Sequence, residues 1–213
     1  MLWDDQALYI AFSCRDPEMW ATMTTRDSSL WAEEVVEVFI DPDGDGRDYY
    51  ELEVNPLNVV VDLKIFTLKP EWKSDIPGFN TKGLKTAIKA YGTVNNPDDR
   101  DVGWTAEIAI PWEGFEGIPG GMKPESGDQW WLNLYRIERG GGIATKREID
   151  QLNAESSQLQ KQKKQTVETM KRLAKIQAEL QELEYRTEYT AWSGTYERGF
   201  HDPARFGVVE FAP

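Results

Sequence analysis

Glu37, Glu51, Glu53 and Asn55 are spaced to act together, and Trp31 stands six residues ahead of the first of them. Glu37 lies between Val36 and Val38, while Glu51, Glu53 and Asn55 alternate with Tyr50, Leu52 and Val54. On an extended chain this period of two sends carboxylates and an amide to one face and apolar side chains to the other. Such groups accept from and donate to hydroxyls, and an indole ring covers the apolar face of a pyranose, so the pattern suits glycan recognition. An ordinary solvated sheet face has the same alternation and competes with that reading. Acid–base chemistry is a weaker third. Glu37, Glu51 and Glu53 on adjacent strands could meet the roughly 5 to 10 Å that separates glycosidase carboxylates, but one sheet face supplies no opposing wall.

Other reactive residues are few. Asp41-Pro-Asp43-Gly-Asp45-Gly46 places oxygen ligands at alternate positions with Gly at the sixth, yet the twelfth position is Leu52 where an EF-hand needs a bidentate Glu. The stretch reads as a hairpin turn that wants positive φ at Gly, with a structural calcium ion on Asp41, Asp43 and Asp45 as the alternative. His201 is the single histidine, which excludes a multi-His metal centre, and no Gly-x-Ser-x-Gly elbow accompanies it. Cys14 is the single cysteine and reads as a small core residue. Phosphate loops and dinucleotide fingerprints are absent. No cofactor is required by anything in the chain.

A net charge of -13 argues against nucleic acid or an anionic membrane surface as the main partner, because both need basic patches. Uncharged glycans meet no such repulsion. No apolar run approaches the ~18 residues of a membrane span, and Met1 is followed by Leu-Trp-Asp-Asp with no basic or apolar leader region.

Positioning these residues calls for strands. The spacing predicts strands over Leu8–Phe12, Val35–Ile40, Tyr49–Val54, Asn58–Phe66, Thr86–Ala90, Thr105–Ile110, Gln129–Ile137 and Gly207–Phe211, with turn-rich loops over Pro70–Gly83 and Gly114–Gly127. Many short strands between Gly/Pro loops give a mainly β protein, an antiparallel β-sandwich. Trp20, in the loop before Trp31, reads as packed down on the sandwich.

One segment departs from this. Between Gly142 and Gly194 there is no Gly or Pro, and Ala144–Glu184 carries no aromatic residue. A single helix of that length would span about 60 Å and strand the chain far from where it left. The apolar residues mirror one another about Thr166: Ile149, Leu152 and Leu159 against Leu183, Leu180 and Leu173, with Ser156 opposite Ile176. That predicts an inserted antiparallel helical hairpin, a coiled coil over 144–185 turning near Lys163–Thr169, between sandwich parts at 1–143 and 186–213. The same heptads would serve a continuous helix pairing with a second chain, so a protein partner or homodimer through 144–185 stays open.

The ordered motifs resemble family 9 carbohydrate-binding modules. They are Leu2-Trp3-Asp4-Asp5, Trp31-Ala-Glu-Glu-Val-Val-Glu37-Val-Phe-Ile-Asp41, Glu51-Leu-Glu-Val-Asn55-Pro56, Gly103-Trp104 to Pro111-Trp112, Asn133 to Glu138, Ala191-Trp192-Ser193 and Phe200-His201-Asp202-Pro203. The resemblance implies a non-catalytic β-sandwich that binds polysaccharide ends or oligosaccharides of the xylan or cellulose type, outside the cell or in the periplasm. It implies that Trp31 and Phe200 are facing rings that sandwich the sugar, Phe200 standing where Trp is usual. Glu37 and Asn55 match polar contact positions, Glu53 stands where Arg is usual, and Tyr135 where Gln is. His201 is placed to reach a hydroxyl, and Trp192 to be a wall of the sandwich or a further platform. Family members also carry an opening β segment ahead of the position of Leu2, so this chain is expected to lack its N-terminal segment.

Overall fold

A computed structural model describes residues 1–66, 78–162, 166–195 and 199–212. The turn-rich stretch expected over 70–83 falls mostly outside these residues, as do positions 163–165 of the expected helix turn.

Among the described residues, ten strands form two antiparallel sheets. The smaller sheet holds β1 (Leu2–Trp3), β2 (Ala7–Arg15), β7 (Gly103–Pro111) and β6 (Lys85–Tyr91) in that order. The larger runs β10 (Gly207–Glu210), β8 (Gln129–Arg139), β3 (Val35–Asp41), β4 (Tyr49–Val54) and β5 (Val60–Ile65), with β9 (Thr187–Ala191) also paired to β8. Strand β8 is long enough to pair β10 through Gln129–Leu132 and β9 through Tyr135–Arg139. The predicted strands are all present. Strands β1 and β9 were not foreseen, because β1 spans two residues and β9 alternates Thr, Tyr and Ala with exposed Glu188 and Thr190.

The main core lies between the sheets. Val36, Val38 and Ile40 of β3 and Tyr50, Leu52 and Val54 of β4 meet Leu8 and Ile10 of β2 and Trp104, Ala106, Ile108 and Ile110 of β7. Trp112, Phe115, Trp130 and Phe211 close one end with edge-to-face and stacked rings. Cys14 is buried here, and burial pushes its thiol up to about 11, so it stays a neutral core residue. Trp20 is buried as expected, with its indole N–H donating to the Arg139 carbonyl.

The β3–β4 turn works through its aspartates. Asp41 accepts from the N–H groups of Gly44 and Gly46 at 3.1 and 2.8 Å, and both glycines hold positive φ, 68° and 80°. Asp43 and Asp45 accept from Asp45 N–H and Arg47 N–H. The three carboxylates each place an oxygen within 4.8 Å of the others. Both oxygens of Asp41 are thus engaged in holding the turn.

Two helices, α1 (Gly142–Gln160) and α2 (Val167–Glu184), stand between β8 and β9. Gly141 and Gly142 take φ of 88° and 59° to turn the chain from strand into helix, and a Cβ at Gly141 would strike Thr145. Thr166 caps α2 by accepting from Thr169 N–H at 3.1 Å, so 167–169, expected in the turn, begin the helix. The helices pack together through buried Leu152, Ile176 and Leu183, with Ile149, Leu159 and Leu180 against them. Arg172 bridges to Glu155. Leu173, expected in the seam, is half-buried and outside that cluster.

Candidate ligand site on the outer face of the large sheet

The face of the large sheet turned away from the smaller one is not the solvated surface that alternation alone allows. Val35 and Phe39 of β3, Tyr49 of β4, Val61, Leu63 and Ile65 of β5, and Tyr135 and Ile137 of β8 form a second core. Leu30 and the segment carrying Phe200 and Phe206 lie over it. Met23 also packs against it. Enclosed with these apolar groups are three carboxylates, Glu37, Glu51 and Glu53, exposed by only 3, 5 and 1 %.

Register explains the meeting. Glu37 pairs with Glu53 on one side and with Tyr135 on the other, so the three form a row across β4, β3 and β8. Phe39 pairs with Glu51 and Asn133 in the next row. One strand residue, Leu52, separates Glu51 from Glu53, which brings them to the same face one above the other. One oxygen from each of the three carboxylates lies within 4.8 Å of the others.

Three carboxylates this close and this dry cannot all be ionised without a counter-charge. Burial pushes Glu37 well above the usual carboxylate range, the charge of Glu51 adds to it, and Arg139 opposes it. Burial likewise raises Glu53, helped by Glu37 and Glu51 and opposed by the N–H of Trp31. Glu51 is raised by burial to about 7 and hydrogen-bonds with Glu53. One oxygen of each, Glu37 Oε1, Glu51 Oε2 and Glu53 Oε2, is buried with no hydrogen-bond partner. Unmet acceptors of this kind are rare in a folded interior.

The surrounding side chains are fixed by specific bonds. Phe200 is 3 % exposed, and its ring stacks on Tyr135 at 4.1 Å and 11°. The Tyr135 hydroxyl donates to the Phe200 carbonyl at 3.2 Å. Phe200 takes φ of 62°, a conformation an aromatic residue adopts at a penalty of about 1 kcal/mol or more. His201 is half-buried, its Nδ1 2.5 Å from the Tyr49 hydroxyl and 3.9 Å from Glu51 Oε2. Burial lowers it to about 4, so the ring is neutral at physiological pH.

Arg139 ties this region to the helices. Its guanidinium donates to the Trp31 carbonyl at 2.9 Å, to Thr187 and Tyr189 of β9, and to Glu184 at the end of α2. Sequence reasoning passed over Arg139, Tyr49 and the full part of Glu51. The period-two pattern does place Tyr49 and Glu51 on the face of Glu53, whereas Arg139 joins only through the end of β8.

The remaining expected residues sit differently. Trp31 is 42 % exposed, in a short 3-10 turn at Leu30–Ala32. Trp192 is 54 % exposed, and a Cβ at Gly207 would run into its ring, so one side of the indole lies on β10. Asn55 is fully buried and spends its amide on the chain itself. It accepts from Leu57 and Val59 N–H and donates to the Met23 carbonyl. Glu37, Glu53, Tyr135, Phe200 and His201 are therefore brought together. Trp31 joins them through its backbone, and Asn55 shapes the turn after β4.

The chain matches the family model for "Carbohydrate family 9 binding domain-like" over residues 1–212, and it belongs to that family. No curated protein matches it. A solved structure of a candidate carbohydrate-binding protein from Bacteroides uniformis is similar, with 16 % identity and a TM-score of 0.49, covering 95 % of this chain and 70 % of that one.

Proposed function

We propose that this chain is a non-catalytic module that binds the end of a polysaccharide or an oligosaccharide and supports a glycan-degrading system outside the cell or in the periplasm. Membership of the carbohydrate family 9 binding domain-like family over nearly the whole chain carries the reading. The sugar stacks on Trp31, with Trp192 a second exposed ring, and its hydroxyls donate to Glu37 and Glu53. Exposed indole surface and buried, unmet carboxylate oxygens support this pairing, since a polyol offers an apolar ring face and several O–H donors at once. In this reading the Gly199–His201 turn swings off Tyr135 on binding, so that Phe200 trades its contact with Tyr135 for one with the sugar and the strain at its φ is released. Asn55 acts indirectly by holding the loop after β4, and His201 stays with Tyr49. The substrate class is a xylan- or cellulose-type glycan, and a coiled-coil arm formed by 144–185 serves a protein partner.

Titration with xylo- and cello-oligosaccharides, read by tryptophan fluorescence and calorimetry, tests the site. Saturable binding is expected, reduced at least tenfold in Trp31→Ala while the folding midpoint moves by less than about 1 kcal/mol, because that side chain is largely outside the core. A folded protein that binds no oligosaccharide overturns the reading.

A further inference from the structure

We propose that Glu37, Glu51 and Glu53 form a binding site for one divalent hard cation of the size of Ca²⁺, held on the outer face of the large sheet beneath the Phe200 segment. Two independent observations meet here. The three carboxylates each bring an oxygen within 4.8 Å of the other two. Each also keeps an oxygen that is buried and without any hydrogen-bond partner.

Size favours calcium. The centre of a triangle whose sides are at most 4.8 Å lies no more than about 2.8 Å from each corner, a limit that admits the 2.3–2.6 Å of Ca–O bonds. Mg²⁺ retains most of its water, which a dry site does not supply. Bidentate carboxylates would bring the oxygen count from three toward six.

Charge favours a divalent ion. The guanidinium that acts on the cluster, through Glu37, is that of Arg139, which is shared with Glu184. A dication offsets two of the three negative charges and Arg139, shared with Glu184, part of the third, whereas a monovalent ion leaves more of that charge unmet. The acceptors are all oxygen, the donor set of a hard ion. The Asp41, Asp43 and Asp45 turn is the competing cluster, but its carboxylates already accept from backbone N–H groups.

The test uses the full chain stripped with chelator, and Tb³⁺ as the probe with Ca²⁺ as competitor, both added to folded protein and during refolding. Tyr49 and Tyr135 lie beside the cluster and would sensitise Tb³⁺ emission. The expected result is saturable emission displaced by Ca²⁺, weakened at least tenfold in Glu51→Gln and in Glu37→Gln, and retained in Asp43→Asn/Asp45→Asn. Circular dichroism confirms that each near-isosteric variant is folded. No binding at millimolar ion under either protocol overturns the site. So does binding that survives both Glu variants, or that disappears only in the Asp variant, which would assign the ion to the hairpin turn. Oligosaccharide titrations of stripped and Ca²⁺-loaded protein separate this from the sugar reading. Glu51 is not a sugar contact in that reading, so Tb³⁺ bound through Glu51 by a protein that binds no oligosaccharide keeps the cation site and removes the sugar site. Sugar binding without any ion does the reverse.

Discussion

The two faces of the large sheet are both buried, yet they are built on opposite principles. The inner face presents Val36, Val38, Ile40, Tyr50, Leu52 and Val54 to the other sheet, and the buried carboxylate of Asp62 on the same face is met by Arg26 and by the Thr81 N–H. The outer face sets Glu37, Glu51 and Glu53 among Phe39, Tyr49, Tyr135 and Phe200, and leaves three of their oxygens unmet. Apolar burial stabilises the first at about 25 cal/mol per Å². The second gives back part of that gain to desolvate charge, which a fold tolerates where a ligand or ion will answer it. The contrast supports the proposal that a ligand is held on the outer face.

The largest effect tests the inner face. Leu52→Ala removes a fully buried side chain from between the sheets and is expected to lower unfolding stability by about 3 kcal/mol, measured by denaturant titration, without creating or abolishing ligand affinity in the molecules that remain folded. A loss below about 1 kcal/mol would mean that the sheets are not the stabilising unit.

The opposite sign is expected on the outer face. Glu37→Leu in ion-free protein replaces an unmet buried carboxylate by a side chain that suits its neighbours, and should raise stability by about 1 to 3 kcal/mol while removing Tb³⁺ and sugar binding. If it destabilises, Glu37 has an intramolecular partner and the two faces are more alike than their residues suggest.

The smallest effect lies beyond both faces, at Glu34. Burial raises its carboxyl well above the usual range, with the nearby charge of Asp16 adding to it. The folded state therefore favours the protonated form. Its contribution to stability is complete below the unfolded-state value of 4.5 and is lost as pH climbs from there through the raised folded value. Glu34→Gln should flatten the fall in unfolding stability above pH 4.5, whereas an unchanged slope would assign the fall to the outer-face carboxylates.

Much of this was written locally. Alternation in Val35–Asp41 and Tyr49–Val54 separates the two sets of side chains, and the Asp/Gly turn between them sets their pairing. The absence of Gly, Pro and aromatic residues marks the helical segment, and mirror-related leucines imply that its halves meet. The helix boundaries came less well, because α2 begins directly after its Thr166 cap at the centre of the expected turn rather than beyond Thr169. Strand β9 carries too little apolar pattern to stand out. Arg139 gives no local sign that it will reach Trp31, Tyr189 and Glu184 together.

By itself the sequence determined that the chain makes a β-sandwich with a helical pair, and that carboxylates would gather on one face of its central hairpin. Those features follow from periods of two and of about three and a half, which neighbouring residues impose on one another. Only the tertiary structure decided that this face is closed rather than wet. Met23, Leu30, Phe200 and Phe206 arrive from segments on either side of the hairpin and as much as 150 residues beyond it, and the long-range packing that shuts water away leaves no trace in the local pattern of Glu37, Glu51 and Glu53.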